Sequence, residues 1–143
     1  MPGGEFSIIE RYFTHEVFGA WRSKGVGDDC AIIDTAAGRL AVTTDMMSIG
    51  THFLPSDRPE DVGYKALAVN LSDLAAAGAT PRAVFLSIAR PGRDDAWLAA
   101  FSRGMMALAQ QAGCPLLGGD TTRTARVGEA RAPVTISITA MGA

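Results

Sequence analysis

At 143 residues, with 48% hydrophobic and 20% charged residues, the chain has the length and composition of one globular domain able to bury a core. A net charge of −2 with no Lys/Arg run excludes a general nucleic-acid binder, and no apolar run approaches the length that crosses a bilayer. Cys30 and Cys114 lie far apart without C-x-x-C spacing, so buried free thiols in a reducing cytoplasm are expected, not a disulfide. Glu5 and Glu10 near the start argue against a signal peptide. Phe6, Ile9, Tyr12 and Phe13 then predict a short amphipathic helix starting near Ser7. The pattern lapses into a loop over residues 21–26, and Gly25-Val26-Gly27-Asp28-Asp29 turns the chain into a short strand, Cys30-Ala31-Ile32-Ile33. Ala36-Ala37-Gly38 closes a hairpin onto a second strand over residues 40–46, with Thr43 and Asp45 on one side and Val42 and Thr44 on the other. Residues 48–55 are irregular and hold His52 and Phe53.

Asp57-Arg58-Pro59-Glu60 reads as a capping box with proline in the first turn, opening a helix over residues 61–79. Leu67, Leu71 and Leu74 fall on one stripe, with Asn70 and Asp73 on a neighbouring face. Gly78 and Pro81 end the helix, and the run Ala75-Ala76-Ala77 predicts that another backbone approaches there. A third strand spans residues 83–89, with Val84, Leu86 and Ile88 on one face, and Pro91-Gly92 breaks it. Asp94 is the expected cap of a helix carrying Trp97, Phe101, Met105, Leu108 and Ala112, which Gly113 ends. A fourth strand from Pro115 runs into Gly118-Gly119-Asp120-Thr121-Thr122, residues 123–132 form a polar loop, and Val134, Ile136, Ile138 and Ala140 alternate along a fifth strand. The order α-β-β-α-β-α-β-β predicts an α+β fold with a mixed sheet and helices packed on one side.

Asp73 is a carboxylate in apolar surroundings with no basic residue within a helical turn, so it needs water, a donor or a cation. Asp28-Asp29, Thr43-Thr44-Asp45 and Asp120-Thr121-Thr122 are three further acidic groups, each expected at an element end where side chains can converge. Carboxylates beside hydroxyls are hard oxygen ligands suited to Mg2+. Assembling them without a cation would cost several kcal/mol in repulsion, to order of magnitude. Mg2+ in turn suits a polyphosphate ligand and phosphoryl transfer. Neither a Walker loop nor a G-x-G-x-x-G turn occurs, and the hydroxyls have no histidine partner for a nucleophilic triad. His52 reads equally as a substrate contact or a surface histidine, and Lys65 as a solvated helix residue.

GEFSIIERYF, GVGDDCAII, TTDMMSIGTHF, PEDVGYKALAVNLSDLAAAGATPR and LLGGDTTR follow one another in an order that resembles the N-terminal half of the thiamine-monophosphate kinases. Those enzymes belong to a superfamily with aminoimidazole ribonucleotide synthetase and selenophosphate synthetase. The resemblance implies a PurM N-terminal-like domain over residues 1–143, binding ATP and Mg2+, with the family's second α/β domain absent from this chain. It implies a cytoplasmic homodimer paired through its sheet, with ATP as co-substrate and thiamine monophosphate phosphorylated to thiamine diphosphate. Matched by position, Asp29, Thr43, Thr44, Asp45, Asp73 and Asp120 are Mg2+ positions, with Asp28 adjoining. Gly119 and Asp120 match the nucleotide-binding loop, and His52 a position that contacts thiamine monophosphate. No residue is singled out as an acid, base or nucleophile, and the isolated chain is expected to be inactive or weakly active. Another ATP-dependent synthetase of the superfamily and a non-catalytic dimerisation module are the alternatives.

Overall fold

The computed structural model describes residues 5–14, 23–24, 26–92, 95–125 and 133–143. In chain order its elements are α1 (Glu5–Tyr12), β1 (Ser23–Lys24), β2 (Ala31–Thr35), β3 (Gly38–Ser48), α2 (Pro59–Ala76), β4 (Pro81–Pro91), α3 (Asp95–Gln111), β5 (Leu116–Thr124) and β6 (Thr135–Gly142). The order matches the sequence expectation except for the two-residue β1, which lies where a loop was expected and is too short to carry any periodicity. The strands form one mixed sheet in the order β1-β2-β3-β6-β4-β5, antiparallel throughout except for the parallel pair β4/β5.

Strand alternation divides the sheet into two faces. On β3 Ala41, Thr43 and Met47 are buried; in register beside them on β6 stand Ile136, Ile138 and Ala140, and next on β4 Val84, Leu86 and Ile88. This face carries the core, closed by Leu67 and Leu74 of α2 and by Phe101 and Met105 of α3, all fully buried or nearly so. The other face presents Thr44, Met46, Thr135, Ser137 and Thr139, and Met46 is 62% exposed. The helices α2 and α3 thus cover one side, as the pattern predicts, while α1 buries none of its residues.

Three local expectations are revised. The Asp57 carboxylate does not cap α2; it accepts the Leu54 N–H at 2.7 Å, Arg58 is the N-cap residue without a side-chain bond, and Pro59 opens the helix. The alanine run is exposed, so no backbone crosses there. The close crossing lies a few turns earlier, where Gly63 of α2 and Gly104 of α3 let the helices meet: a Cβ on Gly63 would sit 2.1 Å from the Phe101 carbonyl oxygen, and one on Gly104 1.9 Å from that of Glu60. Gly118-Gly119 does not end a strand; β5 runs straight through it, and Gly119 takes φ +145° with its Cα so near β4 that a Cβ would lie 1.7 Å from the Leu86 carbonyl oxygen. The end of α2 is as expected. Gly78 takes φ +70°, its N–H reaches Ala75 O at 2.9 Å and that of Ala79 reaches Leu74 O at 2.9 Å, satisfying the last carbonyls. The expected cap Asp94 and most of the polar loop, residues 126–132, lie outside the described residues.

Candidate functional site

Asp73 stands in the last turn of α2, where that helix crosses the buried face of β3. The Thr43 hydroxyl donates to Asp73 Oδ2 at 3.0 Å, and the Cys30 thiol donates to the Asp73 carbonyl oxygen at 3.3 Å. Two residues along β3, on the same face, stands Asp45. Burial first, and then the Asp73 charge, push the Asp45 carboxyl above its ordinary 3.8, while His52 pulls it the other way. The acids therefore share one electrostatic neighbourhood, with Thr43 between them. Cys30 reports on the same cluster from the other side: burial, then Asp73, Asp29 and Asp28 in that order, raise its thiol above the ordinary 9.0. Both cysteines are buried and free, as the sequence predicts.

Asp28 and Asp29 sit just before β2, with the Asp29 N–H donating to Asp28 Oδ1 at 2.8 Å. They line a cleft of about 700 Å³ with Gly27, Thr43 and Thr44, and Phe6 and Ile9 of α1 form its far wall. At the other end of β3 the chain folds back so that the Ser48 N–H donates to His52 Nδ1 at 3.0 Å. That bond leaves the hydrogen of a neutral ring on Nε2, free to donate outward. Lys65 of α2 donates to the His52 carbonyl oxygen and holds the loop against the helix. Lys65 thus has a defined partner, which its sequence setting gives no reason to expect.

Two of the sequence-derived positions face away from the Asp73 cluster, although Thr44 also borders the cleft. Thr44 faces the open side of the sheet, donating to the Ile138 carbonyl oxygen at 3.2 Å and accepting from the Thr139 hydroxyl at 3.1 Å. Asp120 lies in the middle of β5 and not at an element end, as do Thr43 and Asp45 in β3. In register it pairs with Ser87, which pairs with Ser137 and, through it, Met46. Asp120 is therefore on the open face, three strand spacings or about 14 Å from β3, with Thr122 donating to its Oδ2 at 3.1 Å. Among the described residues no group of three or more His, Cys, Asp or Glu is gathered tightly enough to hold a metal ion. Within one chain the acids form a cluster around Asp73 and Asp45, an acidic turn beside it, and Asp120 apart from both.

Asn70 shows what the sequence reading understated. One helical turn before Asp73 and fully buried, it donates through Nδ2 to Ala66 O at 2.9 Å and leaves Oδ1 without a partner. A polar residue on the face beside an apolar helix stripe was the signal, and only the structure shows that it is buried with half of its amide lacking a bond.

Thr43, Asp45 and Asp73 suit a hard divalent cation by chemistry: two carboxylates and a hydroxyl, all oxygen donors, with the Asp45 carboxyl pushed above its ordinary value by burial and by Asp73.

Comparison with known proteins agrees with this fold. The profile of the family described as AIR synthase related protein, N-terminal domain, matches residues 27–143. A thiamine-monophosphate kinase of Haemophilus influenzae is 42% identical over 144 residues, covering 99% of this chain and 42% of that protein. One of Salmonella typhimurium is 47% identical over 125 residues, covering 86% of this chain and 38% of that protein. The solved structure of AaThiL complexed with AMPPCP and TMP superposes with a TM-score of 0.75 at 31% identity, covering 84% of this chain and 37% of that one. The chain thus spans about two fifths of the length of the curated relatives it matches. With a profile match across most of its length and the same fold in solved relatives, the chain belongs to the AIR synthase related proteins and corresponds to their N-terminal domain.

Proposed function

We propose that this chain is the ATP- and Mg2+-binding domain of a kinase that phosphorylates thiamine monophosphate to thiamine diphosphate by direct phosphoryl transfer. The observation that carries the reading is the Thr43–Asp73 contact with Asp45 on the same face, an oxygen-only donor set inside a domain whose named relatives are thiamine-monophosphate kinases. Thr43, Asp45 and Asp73 would hold Mg2+, with Asp28 and Asp29 reaching in from the adjoining cleft. Bound there, the cation supplies charge neutralisation for a polyphosphate. His52, with its outward Nε2–H, is positioned to donate to the phosphate of thiamine monophosphate. Asp120 and Thr44 act from the open face, with Gly119 next to Asp120 on β5, and the three take part in nucleotide and metal binding.

The same reading makes the protein a cytoplasmic homodimer. The open face of the sheet is not covered by α2 or α3, and it carries the exposed Met46 beside Thr44 and Thr139. A second copy laid on that face would bring its own β3 toward Asp120, which a single chain holds about 14 Å away. Light scattering at tens of micromolar should show a dimer, and a monomer at all accessible concentrations would refute the assembly.

The decisive experiment uses Asp73→Asn. Asn preserves size and hydrogen bonding but removes the charge that a cation requires. Calorimetry with AMPPCP should show binding that depends on Mg2+ in the wild type and weakens at least about tenfold in the variant, a loss of about 1.4 kcal/mol. Equal affinity with and without excess chelator would sink the reading.

A further inference from the structure

The parallel strands β4 and β5 end together, and their carboxyl ends carry two arginines side by side. Arg90 pairs in register with Arg123, one strand spacing, about 4.8 Å, away. Arg90 is only 7% exposed. Among the described residues its ion pair is with Asp95, 3.9 Å from Nη2, and the Asp95 side chain is itself 95% exposed. A guanidinium offers five donors, and the carboxylate that faces this one stands at the outer limit of an ion pair. Arg123 makes no ion pair among the described residues. Together with Gly92, Thr121 and Thr122 the two arginines line a cleft of about 310 Å³. One residue further, Thr124 buries a hydroxyl oxygen that has no hydrogen-bond partner. The corner also receives the positive end of a helix dipole, because the 17-residue α3 begins at Asp95.

Positive charge therefore accumulates at this corner, and among the described residues one loosely held acid faces it. The carboxyl ends of parallel strands beside a helix start are a recurrent place for ligands in open sheets. Paired guanidinium forks with adjacent hydroxyls match the geometry of a tetrahedral oxyanion. We propose that this cleft is a binding site for a phosphate group, held by Arg90 and Arg123 and the Thr121 hydroxyl without a metal ion. It is separate from the cluster around Asp73, whose carboxylates repel anions, and it goes beyond the kinase reading without depending on it. Free inorganic phosphate and the phosphoryl group of a nucleotide are the two sources of this chemistry, and the test separates them.

The test titrates the chain with inorganic phosphate in excess chelator, using chloride at matched ionic strength as the control, and follows calorimetric heat and melting temperature. Saturable binding near about 1 mM is expected. Arg123→Gln, at an exposed position, should keep the phosphate-free melting temperature and weaken binding at least about tenfold. Arg90→Lys should weaken it less than Arg90→Gln, because lysine keeps the charge but not the fork. Asp73→Asn should leave phosphate binding unchanged, which separates this site from the metal reading. AMP binding about tenfold tighter than phosphate would identify the nucleotide as the source, and equal affinity would identify the free ion; either sustains the site. Heats no larger than the chloride control, or equal phosphate affinity in Arg123→Gln, would overturn it, and the second result stands even if the Arg90 variants fail to fold.

Discussion

Replacing Gly104 by alanine should destabilise the domain although it adds one methyl group to a helix. On α3 the new Cβ would lie 1.9 Å from the Glu60 carbonyl oxygen of α2, and the neighbouring atoms are also backbone. An ordinary carbon–oxygen approach is about 3.3 Å, so the helices must part by roughly 1.4 Å at the crossing. No rotamer change can relieve a contact with main chain. A gap of 0.5–1 Å forfeits about a quarter to a half of the dispersion well for the atoms it separates, and here those include Leu67, Phe101 and Met105 on the buried side. Overpacking of this kind costs about 3 kcal/mol at the upper end of its usual range, and the better helix propensity of alanine returns about 1 kcal/mol. The Glu60–Arg103 ion pair across the same crossing adds little, since it is largely solvated. The net loss is about 2 kcal/mol, or a drop of roughly 4–8 °C in melting temperature for a domain of this size. Thermal melts followed by circular dichroism measure it, with Ser102→Ala on the exposed side of α3 as the propensity control, expected within about 0.5 kcal/mol of wild type. A Gly104→Ala protein melting at or above the wild-type temperature would refute the close crossing.

Gly119→Ala should cost at least about 2 kcal/mol, because it combines a positive φ with a Cβ 1.7 Å from a β4 carbonyl oxygen; hydrogen exchange should show β5 amides losing protection first, and unchanged protection would count against the contact. Asp45→Asn should flatten the pH dependence of the metal-free domain. The folded-state value of Asp45 is raised by burial and by Asp73, so its favourable share of stability is complete below the ordinary carboxylate value and is lost as pH rises through the raised one. In chelator, the variant should therefore gain on the wild type as pH rises from the ordinary carboxylate value through the raised one, and parallel melting curves over that rise would show that Asp45 ionises normally.

The sequence made the two-faced sheet and the α2 stripe legible because each rests on a repeating burial signal: Ile136, Ile138 and Ala140 at period two, Leu67 and Leu74 at helical spacing. The Asp73 neighbourhood was legible for a related reason, since a carboxylate among apolar residues must find a partner, and Thr43 is one. What failed were inferences from single residue types. Asp57 has the chemistry of a cap, but the Leu54 N–H is nearer in the folded turn and takes its carboxylate. Gly118-Gly119 has the flexibility of a turn, yet that freedom serves close strand packing. The alanine run and the pair Gly63/Gly104 look alike as small residues, and only the three-dimensional crossing tells which of them touches a neighbour. Arg90 escaped notice because nothing in a linear reading shows that Arg123, over thirty positions later, becomes its strand partner.

The placement of β6 bears on how the molecule is made. It is the last strand in sequence, yet it lies between β3 and β4 and pairs with both along nearly its whole length. During synthesis the hairpin half and the β4-α3-β5 half can each form local contacts, but their strands are not joined into one sheet until residues 135–142 have emerged. Until then two apolar strand edges stand open, in the form that invites pairing with other chains. Closure demands contacts distant in sequence, such as Thr43 with Ala140, the kind of pairing that slows folding. Synthesis therefore delivers the keystone only after both halves it joins, and the Asp73 site, built on β3, is set firmly only when that keystone arrives.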